Sequence, residues 1–208
     1  SRWIFVPAYE NGSAPYGQWT ASKLTTPSQW GTDGNISYDT GFATVASLNG
    51  ATLSSTVGAS GVSFNQSRGL TYNAFGYPAA APFNGATLQS CSGTATDDPY
   101  GQSESQGIPC DMTGGSSGGP WFIGTGSAGS QNSINSFGYN NVPNTMFGPY
   151  WGSVIQNAYD SASAWASASS GDLARCAVAG PLCGLKVSRG VRAALPRAGP
   201  QRSRHPPR

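Results

Sequence analysis

The chain has 208 residues, only 10% of them charged, with 29 glycines, 15 prolines and a formal net charge of +2. That length accommodates one domain or two small ones with a sizeable core. So few charges cannot cover the wet faces of long amphipathic helices, and no apolar run of roughly 18 residues offers a membrane-spanning helix. Short strands joined by Gly-, Pro- and Asn-rich turns fit the composition better.

In chain order, residues 2–9 (RWIFVPAY) form an apolar strand, and 16–24 (YGQWTASKL) alternate well enough for another. Residues 36–47 (ISYDTGFATVAS) read as a third strand, followed by an Asn49-Gly50 turn. The segments GVSFNQ, TYNAFGYP and ATLQSCSGTA continue the series, and WFIG and SINSFGYN close it. Strand signals separated by turn residues favour a barrel or sandwich. Only residues 148–167 read as helical, with Val154, Ile155, Ala158, Tyr159 and Ala162 on one face.

The net charge hides a division. Residues 1–171 contain three basic side chains, Arg2, Lys23 and Arg68, against eight acidic ones, whereas 172–208 contain eight basic side chains against one acid, Asp172. The second stretch is rich in Arg, Ala, Pro and Gly without periodicity, and a basic disordered tail is expected there. It lacks the aromatic interleaving that base stacking uses, so no nucleic-acid role is expected. Of four cysteines, Cys91 and Cys110 would close a loop of about 20 residues, a bridge worth on the order of 3 kcal/mol. That pairing implies an oxidising compartment, hence a secreted protein. No Cys/His cluster suggests a metal, and no phosphate loop or nucleotide fingerprint suggests a cofactor.

The stretch CDMTGGSSGGPWF, residues 110–122, carries the chemistry. A nucleophilic serine needs a tight turn that projects its hydroxyl, with neighbouring N–H groups converging on one point to hold an oxyanion. Glycines around it keep side chains out of the substrate's way. Gly115-Ser116-Ser117-Gly118-Gly119-Pro120 meets these needs. It resembles the G-D-S-G-G-P signature of trypsin/chymotrypsin-like serine endopeptidases, and the wider string is similar to secreted bacterial members, the actinobacterial kind in particular.

The resemblance implies that Ser117 is the nucleophile and that the N–H groups of Gly115 and Ser117 form the oxyanion hole. Ser116 stands where the animal enzymes carry an Asp that pairs with a new N-terminal amine, so activation by N-terminal insertion is not expected. NISYDTGFATV offers Asp39 as the partner acid, with Gly41 where Ala is common. Ser136-Phe137-Gly138 resembles the S-W-G segment that runs along the substrate and walls the primary pocket, its backbone pairing with the peptide as an added strand. Asp111, six residues before Ser117, stands where trypsin-like members attract an Arg or Lys side chain. A hairpin aspartate facing water is the equally weighted alternative.

The family's base is a histidine in a T-A-x-H-C setting upstream of the aspartate. The only histidine here is His205, in RSRHPPR, the wrong order and the wrong context. The start, SRWIFVPAY, resembles the region shortly after the family's histidine-bearing hairpin, so the resemblance places that histidine upstream of Ser1. It implies an all-β, trypsin-like double antiparallel β-barrel with the first barrel incomplete over 1–57, a second barrel over 58–147, a C-terminal helix within 148–171, and the tail. The expected molecule is a secreted monomeric serine endopeptidase acting on peptides or proteins, nearly inactive as these residues. A catalytically dead protease-like domain that binds peptides or proteins, and an unrelated secreted β-domain, are the competing readings.

Overall fold

A computed structural model describes residues 3–124, 129–169, 171–174 and 183–184. The N-terminal part begins with β1 (Ile4–Pro7), β2 (Trp19–Thr25), the short helix α1 (Ser28–Gly31), a 3-10 turn (Ile36–Tyr38), β3 (Phe42–Val45) and α2 (Leu53–Val57). The second part contains β4 (Gly61–Val62), β5 (Thr71–Gly76), β6 (Gln89–Thr94), β7 (Thr96–Asp97), β8 (Gln106–Pro109), β9 (Pro120–Ile123), β10 (Ser130–Ile134) and β11 (Thr145–Gly148). The helix α3 (Ser153–Ala168) follows, then β12 (Asp172–Ala174) and β13 (Cys183–Gly184).

Two β bodies result. The first is a five-stranded sheet in the order β12-β3-β2-β1-β13. Its apolar side chains Phe5, Trp19 and Val45 pack with Leu53 of α2. The second body combines the sheet β4-β10-β9-β5-β6 with the sheet β11-β8-β7. Tyr72, Ala74, Ile108, Met112, Trp121 and Met146 fill the space between them. Trp121 and Ile108 are fully buried; each such side chain contributes about 1.5–3 kcal/mol through area removed from water. Cys91 and Cys110 are joined, tying β6 to the end of β8. This is a double β-barrel architecture with a C-terminal helix. The helix α3 lays Ile155, Ala158, Ala162 and Ala166 against Phe42 and Trp151. That spacing keeps one face apolar, and the small alanines let the helix approach β3 closely.

The structure differs from the sequence reading in several places. Residues 36–47 are not one strand. The Asn35 side chain accepts from Ser37 N–H at 3.1 Å and caps a 3-10 turn, so extended pairing starts only at Phe42. Within GVSFNQ only Gly61–Val62 is a strand, because Phe64 stacks on Trp151 and Asn65 takes a left-handed φ of 54°. β4 also pairs with β10 in parallel, the exception to the antiparallel expectation. The SINSFGYN strand stops at Ile134, with a single further bridge between Phe137 and Phe147.

The expected disorder from 172 onward does not hold throughout. Asp172–Ala174 pairs with β3 and Cys183–Gly184 with β1. The unpaired backbone of a sheet edge accepts a strand irrespective of its side-chain composition. The remainder of the basic stretch, including Cys176 and His205, lies outside the described residues. The Asn49-Gly50 turn is as expected: both residues have positive φ, and Leu48 and Ala51 exchange two 3.0 Å backbone hydrogen bonds.

Candidate active site

The turn between β8 and β9 carries Ser117. Its hydroxyl is exposed, and neither that hydroxyl nor its N–H has a hydrogen-bond partner among the described residues. The N–H of Gly115 is likewise unpaired. The rest of the turn is tightly held. Ala79 and Ala80 N–H donate to the Gly114 carbonyl at 2.8 and 3.0 Å, and Thr113 Oγ1 donates to Ala80 O at 2.7 Å. Ser116 is buried, its hydroxyl donating to Thr113 O at 2.9 Å.

Two glycines are demanded by this packing. Gly115 has φ of 107°, and a Cβ there would lie 2.7 Å from Ala79 N and Cβ. A Cβ on Gly119 would lie 2.0 Å from Phe75 O. The glycine run is therefore the condition for laying this turn against β5, and a flexible linker would need no such contacts.

Asp39 sits just after the 3-10 turn and three residues before β3. Its Oδ2 accepts from Ser136 Oγ at 2.6 Å. Burial pushes its carboxyl above the usual carboxylate value, and the Ser136 hydrogen bond partly opposes that shift. Its neighbour Thr40 is locked by Trp151 Nε1 donating to its hydroxyl at 3.2 Å and by Thr26 Oγ1 donating to its carbonyl at 2.7 Å. The position of the carboxylate is thus set from both barrels and from the helix end.

Ser117 and Asp39 line one cavity of about 520 Å³. Trp3, Phe5, Leu24, Trp30 and Phe42 supply much of its wall. The structure thereby brings together two residues 78 positions apart in the sequence. The segment 136–138 lies beside them. Phe137 stacks on Phe147 with ring centroids 5.2 Å apart, and its backbone is bonded to Phe147. The carbonyl of Ser136 and both backbone groups of Gly138 have no partner among the described residues. Asp111 is exposed and does not line the cavity shared by Ser117 and Asp39.

One residue of this site was not singled out from the sequence. Asn135 is 1% exposed and adjoins Ser136. Its Nδ2 donates to Phe75 O at 2.9 Å and Ser116 O at 3.0 Å, while its Oδ1 accepts from Trp121 Nε1 at 2.7 Å. The signal available was an Asn in an otherwise strand-like run, where a polar side chain facing the core needs partners.

Two of the solved structures similar to this chain share more than half of its residues over the matched length. One is the protease Anisep from Arthrobacter nicotinovorans, 61% identical with a TM-score of 0.76, covering 79% of this chain and 75% of that one. The other is the thermostable serine protease AL20 from an extremophilic microorganism, 54% identical with a TM-score of 0.74, covering 77% and 74%. A Glu endopeptidase in complex with MPD shares the fold at 18% identity and a TM-score of 0.64, covering 79% and 73%. No protein-family model and no curated protein matches the chain.

Proposed function

Since the chain belongs to the bacterial trypsin-like serine proteases, we propose that it cleaves peptide bonds with Ser117 as nucleophile and Asp39 as the acid that supports the base. The observation that carries this reading is an exposed Ser117 on a cavity that Asp39 also lines, its hydroxyl and N–H, like the Gly115 N–H, without a partner among the described residues.

In this mechanism Ser117 Oγ gives its proton to the base as it attacks the scissile carbonyl carbon. The N–H groups of Gly115 and Ser117 receive the oxygen as it becomes negative, a contribution of roughly 100- to 1,000-fold per donor. Collapse breaks the C–N bond, leaves an acyl-enzyme on Ser117, and releases the amine with a proton from the base. Water then repeats the sequence in reverse. Asp39 holds the base in the correct tautomer and stabilises its cation. The Ser136 carbonyl and the Gly138 backbone groups, unpaired among the described residues, pair with the substrate. Asp111 would select a cationic side chain.

The family's base is a histidine; the one histidine of these 208 residues, His205, lies outside the described residues, and none of the described residues supplies that base. We therefore infer slow turnover for these 208 residues. Without one triad member, about 1,000- to 10,000-fold acceleration over water remains. The Cys91–Cys110 bridge supports action in an oxidising, extracellular setting. Among the described residues no helix is long and apolar enough to cross a membrane.

The test is hydrolysis of an arginyl and an aromatic peptide amide by the chain and by Ser117→Ala. Slow cleavage that disappears in the variant is expected. Cleavage indifferent to the substitution would remove the assignment. Fast cleavage abolished by it would keep the peptidase and overturn only the slow turnover. Peptide binding with no Ser117-dependent cleavage would instead identify a catalytically dead, peptide-binding domain.

A further inference from the structure

The oxyanion turn is useful only if its two N–H groups point the right way before substrate arrives. A peptide unit is planar and trans, so its N–H and C=O point in opposite directions. Anchoring a carbonyl therefore aims the N–H on the other side of the same plane. The plane that carries the Gly115 N–H is anchored through Gly114 O by two backbone donors, Ala79 and Ala80. The plane that carries the Ser117 N–H is anchored through Ser116 O by the Asn135 side chain at 3.0 Å and by Gly119 N–H at 3.0 Å.

Asn135 holds the following plane as well. Gly118 N–H donates to Asn135 O at 2.8 Å, and Asn135 N–H donates to Gly119 O at 2.8 Å. Trp121 Nε1, bound to Oδ1, fixes which end of the amide faces the turn. With its second donor on Phe75 O, the amide has both donors used and no freedom to rotate.

Building on the serine-protease reading above, we propose that Asn135 is a positioning residue that aims the Ser117 N–H into the oxyanion hole. The turn is then held by folding itself, through a buried neutral amide. Ser116 fits this arrangement: its hydroxyl stays within the turn, on Thr113 O, and its carbonyl is what the clamp grips.

The test uses a peptidyl p-nitrophenyl ester, whose leaving group needs no proton; Ser117 is deprotonated in the same way in variant and parent, so their ratio reads oxyanion stabilisation. Asn135→Asp keeps the shape and the acceptor for Trp121 but gives a carboxylate that cannot donate to Ser116 O. The expected result is a roughly 100- to 1,000-fold fall in kcat with KM nearly unchanged. The ratio of variant to parent activity should rise as pH falls, because a protonated carboxyl regains one donor. A merely structural role would lower the folded fraction, followed by near-UV circular dichroism, without that kcat-only loss per folded molecule. A folded variant with parental kcat, or a pH-independent ratio, overturns the proposal.

If Asn135→Asp does not fold, hydrogen exchange on the unaltered chain decides. The Asn135 Nδ2 protons and the Gly118 N–H should exchange through one shared opening. Gly118 exchanging through a much easier opening overturns the clamp. Ester hydrolysis unchanged in Ser117→Ala would sink the protease reading alone, and the exchange measurement would still judge the clamp.

Discussion

The two sides of Ser117 are built to different standards. Toward β5 and β10 the turn meets a saturated network: Asn135, Ala79 and Ala80 satisfy the carbonyls around it, and Trp121 closes the set from the core. Toward Asp39 it meets a cavity of about 520 Å³ walled largely by aromatic and aliphatic side chains, where the carboxylate has one hydrogen-bond partner among the described residues, Ser136. On the proposed mechanism, the half that would stabilise negative charge is held by hydrogen bonds, and the half that would move a proton is open. Successive residues serve the two halves: Asn135 reaches the serine turn and Ser136 reaches Asp39. Alternation along an extended backbone sends neighbouring side chains to opposite faces, which allows one strand end to register both.

The preorganised side is the easier one to break. Gly119→Ala places a Cβ against Phe75 O, Asn135 Nδ2 and Ser116 O together. Two of these are backbone atoms and the third is fully committed, so relaxation is costly. We expect a loss of about 3 kcal/mol, read as a lower denaturant midpoint at unchanged slope. A stability change below about 0.5 kcal/mol would mean that the turn is compliant and the contrast with the cavity side is false.

The open side should be improvable. Free imidazole is small enough to enter the cavity and can act there as a proton acceptor. It should raise Ser117-dependent ester or amide hydrolysis by about 100-fold at saturation. Asp39→Asn should blunt the gain, because the amide cannot stabilise an imidazolium. A saturable response absent from Ser117→Ala supports this; a linear response equal in both chains is buffer catalysis and removes the cavity from the mechanism.

How much of this could be read in advance follows the same division. The glycine run announced the turn because its constraints are local: Gly115 needs its positive φ wherever the chain goes. The motif and the apolar run after it single out Asp39, which does line the cavity with Ser117, but nothing in them shows the 3-10 turn that presents it. Asn35, which caps that turn, looks like any loop asparagine until its hydrogen bond is seen. Asn135 was passed over because its partners, Phe75, Ser116 and Trp121, come from three separate segments. The strands β8 and β11 escaped notice for a similar reason. QGIP and TMFG are short, contain Gly or Pro, and become strands by pairing with each other across residues 109–145. Pairing of β12 with β3 and β13 with β1 is equally non-local.

A smaller effect concerns the pocket floor. Asp111 is exposed and lies off the shared cavity. If it receives a substrate cation as the resemblance implies, Asp111→Asn lowers kcat/KM for an arginyl ester about tenfold relative to an aromatic one, which corresponds to about 1.4 kcal/mol of discrimination. Equal changes for the two esters would assign it to the water-facing hairpin alternative.

The smallest expected effect tests the carboxylate's own environment. Burial raises the Asp39 pKa in the folded chain above its ordinary value of 3.8, against the opposing Ser136 hydrogen bond. The folded state therefore holds the proton more tightly than the unfolded state does. Stability must fall as pH rises from the ordinary carboxylate value through the raised folded value, and the deficit persists at neutral pH. Asp39→Asn removes the charge but keeps an oxygen that can accept from Ser136. It should melt higher than the parent at neutral pH, with the difference shrinking as the solution is acidified below the ordinary value. A variant that melts lower at neutral pH would mean that the Ser136 hydrogen bond outweighs desolvation. The open side of the site would then be as well satisfied as the clamped one, and the contrast drawn around Ser117 would fail.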